Sequence, residues 1–425
     1  MTSLILSKDR SFSNFFSNSK KIDRICKEIL LKKFKNIKHG YLILEDHSFG
    51  QKTLNEFGDN SASLKVIIVI HRSSFYSRIL LGGSIGSAES YIDEDWNTNE
   101  LTGLIQIFAL NRNLLQSIDA GLGNLLRPIQ KIFHGLRSNT VEGSKKNIHA
   151  HYDIGNDFFK LFLDETMMYS CALFNAESSS LKDASLNKIY KICERLDLRA
   201  TDHLLEIGTG WGSLAIYAAK NYGCKVTTTT ISKEQFKFAI EQVKANGLED
   251  KISVIFEDYR QLTGKYDKLV SVEMIEAVGL DNLPQFFKKC SDLLLPNGLM
   301  VLQAITIRDQ FYETARKSVD FIQHHIFPGS GIPSVNAMMT AVTKTTDLVL
   351  INQQDYAEDY ARTLMIWSKN LNHNQEEIIK LGYPKYLYRL WQFYFSYCEG
   401  GFRERTIGLS QMTLAKPFYQ NRNIL

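Results

Sequence analysis

Apolar positions in this chain follow two rhythms. Ile22, Ile25, Ile29, Phe34 and Ile37 recur at helical spacing and predict an amphipathic helix. Leu122, Leu125, Leu126, Ile129, Phe133 and Leu136 predict a second, with Arg127, Lys131 and Arg137 opposite and Pro128 kinking or restarting it. Between them, residues 65–70 read as a strand, Gly82-Gly83-Ser84-Ile85-Gly86 as a tight turn and residues 101–110 as a helix. From residue 203 the rhythm becomes one of short apolar runs alternating with helical stretches. Strands are expected over 203–207, 225–230, 253–256, 268–272 and 299–305, and helices over 213–221, 234–246 and 286–294. Such alternation predicts an α/β fold with a doubly wound parallel sheet, whose ligand crevice lies beyond the carboxyl ends of the strands. Residues 306–400 read as a mostly helical insertion, a lid over that crevice. The polar stretch 138–147 is the natural linker, dividing a smaller α+β domain (1–140) from a catalytic domain (141–425).

Composition refines this picture in three places. A length of 425 residues suits two domains. The formal charge is only +4, yet Lys20, Lys21, Arg24, Lys27, Lys32, Lys33, Lys35 and Lys38 crowd one segment against Asp23 and Glu28. That basic helix either covers its own domain's core with a solvated face or meets anionic lipid, and charge alone does not choose. No nucleic-acid partner is expected. Residues 1–10 lack the apolar core of a signal peptide, and the longest apolar run, 66–70, is too short to span a bilayer, so a cytoplasmic protein is expected. Six scattered cysteines without a C-x-x-C pair argue against a disulfide framework and against zinc. His149 and His151 stand two apart and His324 and His325 adjacent, so no metal is expected.

The most informative stretch is Leu204-Leu205-Glu206-Ile207-Gly208-Thr209-Gly210-Trp211-Gly212. A buried strand ending in three alternate glycines is a turn where backbone passes close to a ligand. A P-loop would need Gly-Lys-Ser/Thr, and a dinucleotide turn would need glycine where Ser213 stands. The spacing of Gly208, Gly210 and Gly212 suits S-adenosylmethionine. After the second strand, Thr230-Ile231-Ser232-Lys233-Glu234-Gln235 offers neutral partners for a ribose, Gln235 first, although Ser232 equally suits a helix cap. Asp258 is either an acceptor for an adenine amino group or a solvated loop carboxylate.

Longer motifs carry a family resemblance. His151-Tyr152-Asp153-Ile154-Gly155-Asn156-Asp157-Phe158-Phe159, Met168-Tyr169-Ser170-Cys171-Ala172, Asp258-Tyr259-Arg260, Ser271-Val272-Glu273-Met274-Ile275-Glu276-Ala277-Val278-Gly279, Ile326-Phe327-Pro328-Gly329 and Tyr397-Cys398-Glu399 run in order along the chain. Together with the glycine turn they resemble the cyclopropane-fatty-acyl-phospholipid synthases, and Gly82 to Gly86 with Tyr91 and Trp96 resembles that family's smaller amino-terminal domain. The resemblance implies a Rossmann-like S-adenosylmethionine-dependent methyltransferase that moves a methyl onto the cis double bond of a phospholipid acyl chain and then closes a three-membered ring. It implies cofactor contacts at Tyr169, Ser170, Glu206, Gly208, Gly210, Gly212, Thr230, Ser232, Gln235, Asp258 and Tyr259. It also implies a peripheral enzyme on the inner membrane face, acting on a phospholipid surface, and a homodimer.

An alkene is a weak nucleophile, so such an enzyme must hold its methyl donor close, aligned and dry. A carbocation follows, which aromatic faces stabilise without quenching; Tyr169 and Tyr360 are the first candidates, and Phe174, Trp391 and Tyr394 are further ones that read more simply as core packing. Ring closure needs a base. The resemblance assigns this role to a bicarbonate ion held by Cys171 and Ile305 through backbone groups and by Glu276, Gln303 and Tyr360 through side chains. Gln303 and Ala277 stand where the best-known branch has histidines, and glutamine cannot relay a proton, which leaves ring against methyl branch open. Cys398 holds a position once favoured for a nucleophile, a role alkene methylation does not require; it is read as structural.

Overall fold

A computed structural model describes residues 20–112, 154–177 and 179–420. The expected helix over 122–136, the linker 138–147 and His151-Tyr152-Asp153 lie outside the described residues. The chain divides into two compact units, one containing the amino-terminal segment with residues 318–328 and 367–406, the other containing the segment through residue 317 with 329–366 and the carboxyl-terminal segment.

The first unit is built on a mixed four-stranded sheet. Strands β1 (Tyr41–Asp46), β2 (Thr53–Gly58), β3 (Lys65–Ile70) and β4 (Trp96–Thr98) lie in the order β2-β1-β3-β4, with β1 and β3 parallel. Alternation does the work: Leu42 and Leu44 of β1 and Val66, Ile68 and Ile70 of β3 are buried, their neighbours less so. The first helix, Lys20–Phe34, forms where expected but turns a different face inward. Cys26, Leu30 and Phe34 are buried with Asp23, whereas Ile22 and Ile25 are 37% and 60% exposed. Asp23 tolerates burial because its carboxylate accepts a 2.6 Å hydrogen bond from Ser73 Oγ.

The glycine cluster at 82–86 is not a tight turn. Residues Ser74–Ile92 are helical throughout, with one break at Gly83 (φ 55°, ψ −134°). Helix Leu101–Leu110 matches the expected bounds and packs on helix Lys385–Arg403. Their approach is close at Gly400, where a Cβ would lie 2.7 Å from a Cγ of Ile105. Thr102 Oγ1 donates to Glu399 across this contact at 3.1 Å, and Arg389 caps the carbonyl of Tyr91 at 2.7 Å while stacking on its ring.

The second unit holds a seven-stranded sheet. Strands β5 (His203–Ile207), β6 (Lys225–Thr230), β7 (Ile252–Phe256), β8 (Tyr266–Val272), β9 (Leu294–Ile307), β10 (Val349–Asp355) and β11 (Ile407–Ala415) take the order β10-β11-β9-β8-β5-β6-β7. The five from β7 to β9 are parallel, and β11 and β10 close one edge antiparallel. Helices cover both faces, so successive strand residues enter different cores. Leu204, Val270 and Val301 pack with Leu214, Ala218 and Ile192, while Leu205, Leu269 and Leu302 pack with Phe286, Phe287 and Met338. Sequence reading passed over helix Leu181–Arg195 and strands β10 and β11. Among the described residues no helix is long and apolar enough to cross a membrane.

Candidate active site

The glycine turn leaves β5 and enters helix Ser213–Tyr222. Gly208, Gly210 and Gly212 have φ of 104°, 53° and 94°, a left-handed run that glycine takes without strain. The amides of Gly208 and Thr209 both donate to the carbonyl of Thr229, tying the turn to β6. A Cβ at Gly210 would meet nothing within 4 Å, so backbone faces open space there. This is the cradle S-adenosylmethionine requires, and the turn would hold it through main-chain groups.

Around the turn the expected cofactor residues take distinct states. Glu206 is buried and accepts from Thr228 Oγ1 at 2.6 Å; burial pushes its carboxyl up to about 8. Thr230 Oγ1 donates to Gln235 Oε1 at 2.9 Å, and Ser232 caps helix Lys233–Ala245 by accepting from the Gln235 amide. Asp258 is buried and gripped by its neighbour Arg260, at 2.8 Å from Nε and 2.7 Å from a terminal nitrogen. The Tyr259 ring packs edge-on against Phe286. Tyr169 sits in an aromatic group with Phe159 and Phe162, and Phe159 in turn lies 5.1 Å from Trp211 of the turn. Ser170 accepts from Lys188 Nζ, a fully buried ammonium.

The implied base site lies at the ends of β8 and β9. The register pairs Val272 with Gln303 and Gln303 with Gln411, so the centre of the sheet delivers these side chains side by side. Gln411 Nε2 donates to Gln303 Oε1 at 2.9 Å, which orients the amide so that Gln303 Nε2 points away as a donor. Its acceptor is Glu273 Oε1, at 2.8 Å. The Cys171 amide donates to the same oxygen at 3.0 Å, and Tyr360 Oη donates to Glu273 Oε2 at 2.5 Å. Three of the groups assigned to bicarbonate therefore already converge on one carboxylate. Burial raises the Glu273 carboxyl above its ordinary value, against the opposing pull of the Tyr360 hydrogen bond, the Lys188 charge and the other donors.

Glu276 differs. It lies on the short 3-10 turn Ile275–Ala277, and its Oε1 accepts from the Ile305 amide at 2.6 Å. Its Oε2 is buried with no hydrogen-bond partner among the described residues. Burial, then the neighbouring Glu273 charge, push it up to about 8, so near neutrality it is a carboxylic acid with a proton to donate.

The remaining expected residues have their own contacts. The Phe174 ring is covered by the Arg362 guanidinium, 3.9 Å from its centroid, and offers no open face on that side. Trp391, Tyr394 and Cys398 belong to helix Lys385–Arg403 of the first unit, where Trp391 and Tyr394 are buried against one another. Burial raises the Cys398 thiol well above its ordinary value, which leaves no thiolate for nucleophilic work. Sequence reading missed Glu273 and Lys188. Glu273 stood inside a quoted motif, and its signal was a second acidic residue three positions before Glu276.

The chain is similar to known proteins over most of its length. Residues 140–412 match the family described as mycolic acid cyclopropane synthetase. A tuberculostearic acid methyltransferase of Mycobacterium tuberculosis is 34% identical over 358 residues, 82% of this chain and 83% of that protein. A cyclopropane-fatty-acyl-phospholipid synthase of Escherichia coli is 32% identical over 352 residues, 82% of this chain and 87% of that one. The crystal structure of a mycolic acid cyclopropane synthase complexed with SAH and CTAB aligns with a TM-score of 0.61 at 30% identity, covering 64% of this chain and 98% of the other.

Proposed function

The chain belongs to the mycolic acid cyclopropane synthetase family, a methyltransferase with S-adenosylmethionine as its donor, and from that premise we propose that it cyclopropanates unsaturated phospholipid acyl chains. The observation that carries this reading is the pair Glu273 and Glu276, two half-buried glutamates beside the glycine turn, one accepting from three donors and the other with a buried oxygen that has no partner among the described residues. A methyltransferase acting on an acceptor that already loses a proton easily gains little from a buried base, whereas a carbocation formed in a dry site must lose its proton to an enzyme group.

Bound S-adenosylmethionine supplies an electrophilic methyl group. The chain's own residues do the rest: the turn from Gly208 to Gly212 positions the donor, Tyr169 and its aromatic neighbours exclude water, and Tyr360, Gln303 and the Cys171 amide hold the acceptor of the proton in place. In this reading the amino-terminal unit docks on a phospholipid surface through its basic helix, as a peripheral protein of the inner membrane face.

Incubating the protein with S-adenosylmethionine and vesicles of unsaturated phospholipid is expected to yield acyl chains heavier by one CH2 in mass spectrometry. Glu276→Ala, which removes the acid and its proton, is expected to suppress that product. Hydrogenation chemistry on the recovered chains separates a ring from a methyl branch. Donor turnover on amines with no change in lipid mass would overturn the proposal.

A further inference from the structure

The resemblance calls for a bicarbonate ion, and three of the groups that would hold it already donate to a carboxylate of the chain itself. The Cys171 amide, Gln303 Nε2 and Tyr360 Oη all donate to the Glu273 carboxylate. An anion bound there would have to displace that carboxylate and then lie against its charge. We propose that Glu273 is itself the catalytic base, a carboxylate built into the chain where related enzymes are expected to hold bicarbonate. This rests on the lipid-methylating reading above and deepens it.

Backbone geometry supports the proposal independently of the hydrogen bonds. Glu273 has φ of 49°, one of five non-glycine residues with positive φ among those described. A glutamate held in the left-handed region stores strain that glycine would not, and such strain persists where surrounding structure over-determines it. Here the Glu273 amide donates to the Gln303 carbonyl at 2.8 Å, so the strained residue is clamped to β9 through main chain and side chain alike.

The neighbours leave Glu273 as the acceptor. Gln303 is oriented by Gln411 as a donor and carries no titratable proton. Tyr360 and the Cys171 amide also donate. Glu276 is held in its protonated form by burial. Burial raises the Glu273 carboxyl, and against it the three donors and the charge of Lys188, anchored through Ser170, favour the ionised form without a bound ion.

The step is balanced within these groups. Once the methyl has bonded to one alkene carbon, the adjacent carbon is cationic. A Glu273 oxygen takes a proton from the new methyl, the electron pair of that C–H bond forms the third ring bond to the cationic carbon, and the resulting carboxylic acid returns its proton to solvent. No oxidant or reductant enters.

The test uses the full-length protein with unsaturated phospholipid vesicles, in buffer purged of carbon dioxide and again with added bicarbonate. Wild-type turnover is expected to be the same in both. Glu273→Gln is expected to lose at least about 100-fold in product formation, the usual scale for a general base, with S-adenosylmethionine binding retained in calorimetry as proof of folding. Glu273→Gly relieves the backbone and vacates the three donors; bicarbonate or formate is expected to restore its activity, and ¹³C-bicarbonate to show a bound NMR signal with this variant only. Wild-type activity that collapses without bicarbonate and returns with it would overturn the proposal, as would a Glu273→Gln variant with wild-type turnover. Absence of any lipid product from wild type in both buffers would instead overturn the underlying reading, and the base role with it.

Discussion

Glu206 and Glu276 are carboxyls whose burial holds a proton that the unfolded chain would release. For Glu206 the folded value is about 8 against an ordinary 4.5, so between those values the folded state carries one more proton than the unfolded state. Stability then falls as pH rises across that window, by at most about 1.4 kcal/mol per pH unit, and levels off above the folded value. In Glu206→Gln this contribution disappears, because an amide keeps the hydrogen bond from Thr228 without titrating. Thermal unfolding measured from the ordinary carboxyl value up to about 8 is therefore expected to decline less steeply in the variant than in wild type. Equal slopes would show that Glu206 is ionised in the fold. Hydrogen bonding, not burial, separates Glu273 from Glu276: three donors converge on the first, while one oxygen of the second has no partner among the described residues.

At the level of elements, helix Lys20–Phe34 illustrates how a periodic pattern is satisfied by more than one face. Its five expected apolar positions included Ile22 and Ile25, which the fold leaves outward beside Lys20, Lys21 and Arg24. A face combining exposed isoleucine with basic residues is what an anionic lipid surface recognises, through apolar insertion and through roughly 1 kcal/mol per basic residue. Ile25→Glu is expected to weaken binding to anionic vesicles in a sedimentation assay while changing stability by less than about 0.5 kcal/mol. Leu30→Ala, on the buried face, is expected to do the reverse, leaving vesicle binding intact and costing about 2–5 kcal/mol in denaturant unfolding. Vesicle binding that survives Ile25→Glu at low salt would remove this helix from the proposed docking surface.

At the level of the molecule, the first unit depends on chain that arrives late. Helix Lys385–Arg403 supplies Arg389 to Tyr91, Glu399 to Thr102 and the close approach of Gly400 to Ile105. A chain ending after residue 136 lacks these contacts, and its helix Leu101–Leu110 loses the surface it packs on. Such a fragment is expected to unfold without a cooperative transition in circular dichroism, whereas the full chain shows one. A cooperative transition in the fragment would mean that the late helix is dispensable for this unit. The Rossmann-like fold of S-adenosylmethionine-dependent methyltransferases is carried by the second unit, whose strands and neighbouring helices contain the glycine turn and both glutamates.

Much of this was legible from the amino-acid order alone, and the reason is locality. Strands β5 and β6 follow from short apolar runs, and the turn after β5 follows from φ values that only glycine adopts freely, because each depends on a few consecutive residues. Strand β10 was not legible: it is almost wholly exposed, and nothing in its polar sequence alternates with a core. The roles of Glu273 and Glu276 were not legible either. They stand three residues apart in one motif, and their division of labour rests on donors from Cys171, 102 positions away, and Tyr360, 87 positions away. Which carboxylate collects those donors depends on strand order, on the register of β8, β9 and β11, and on one residue's left-handed backbone. Local sequence determined the elements and the cofactor turn; the choice of base belongs to the tertiary structure, because hydrogen bonds between distant residues exist only once the sheet has formed.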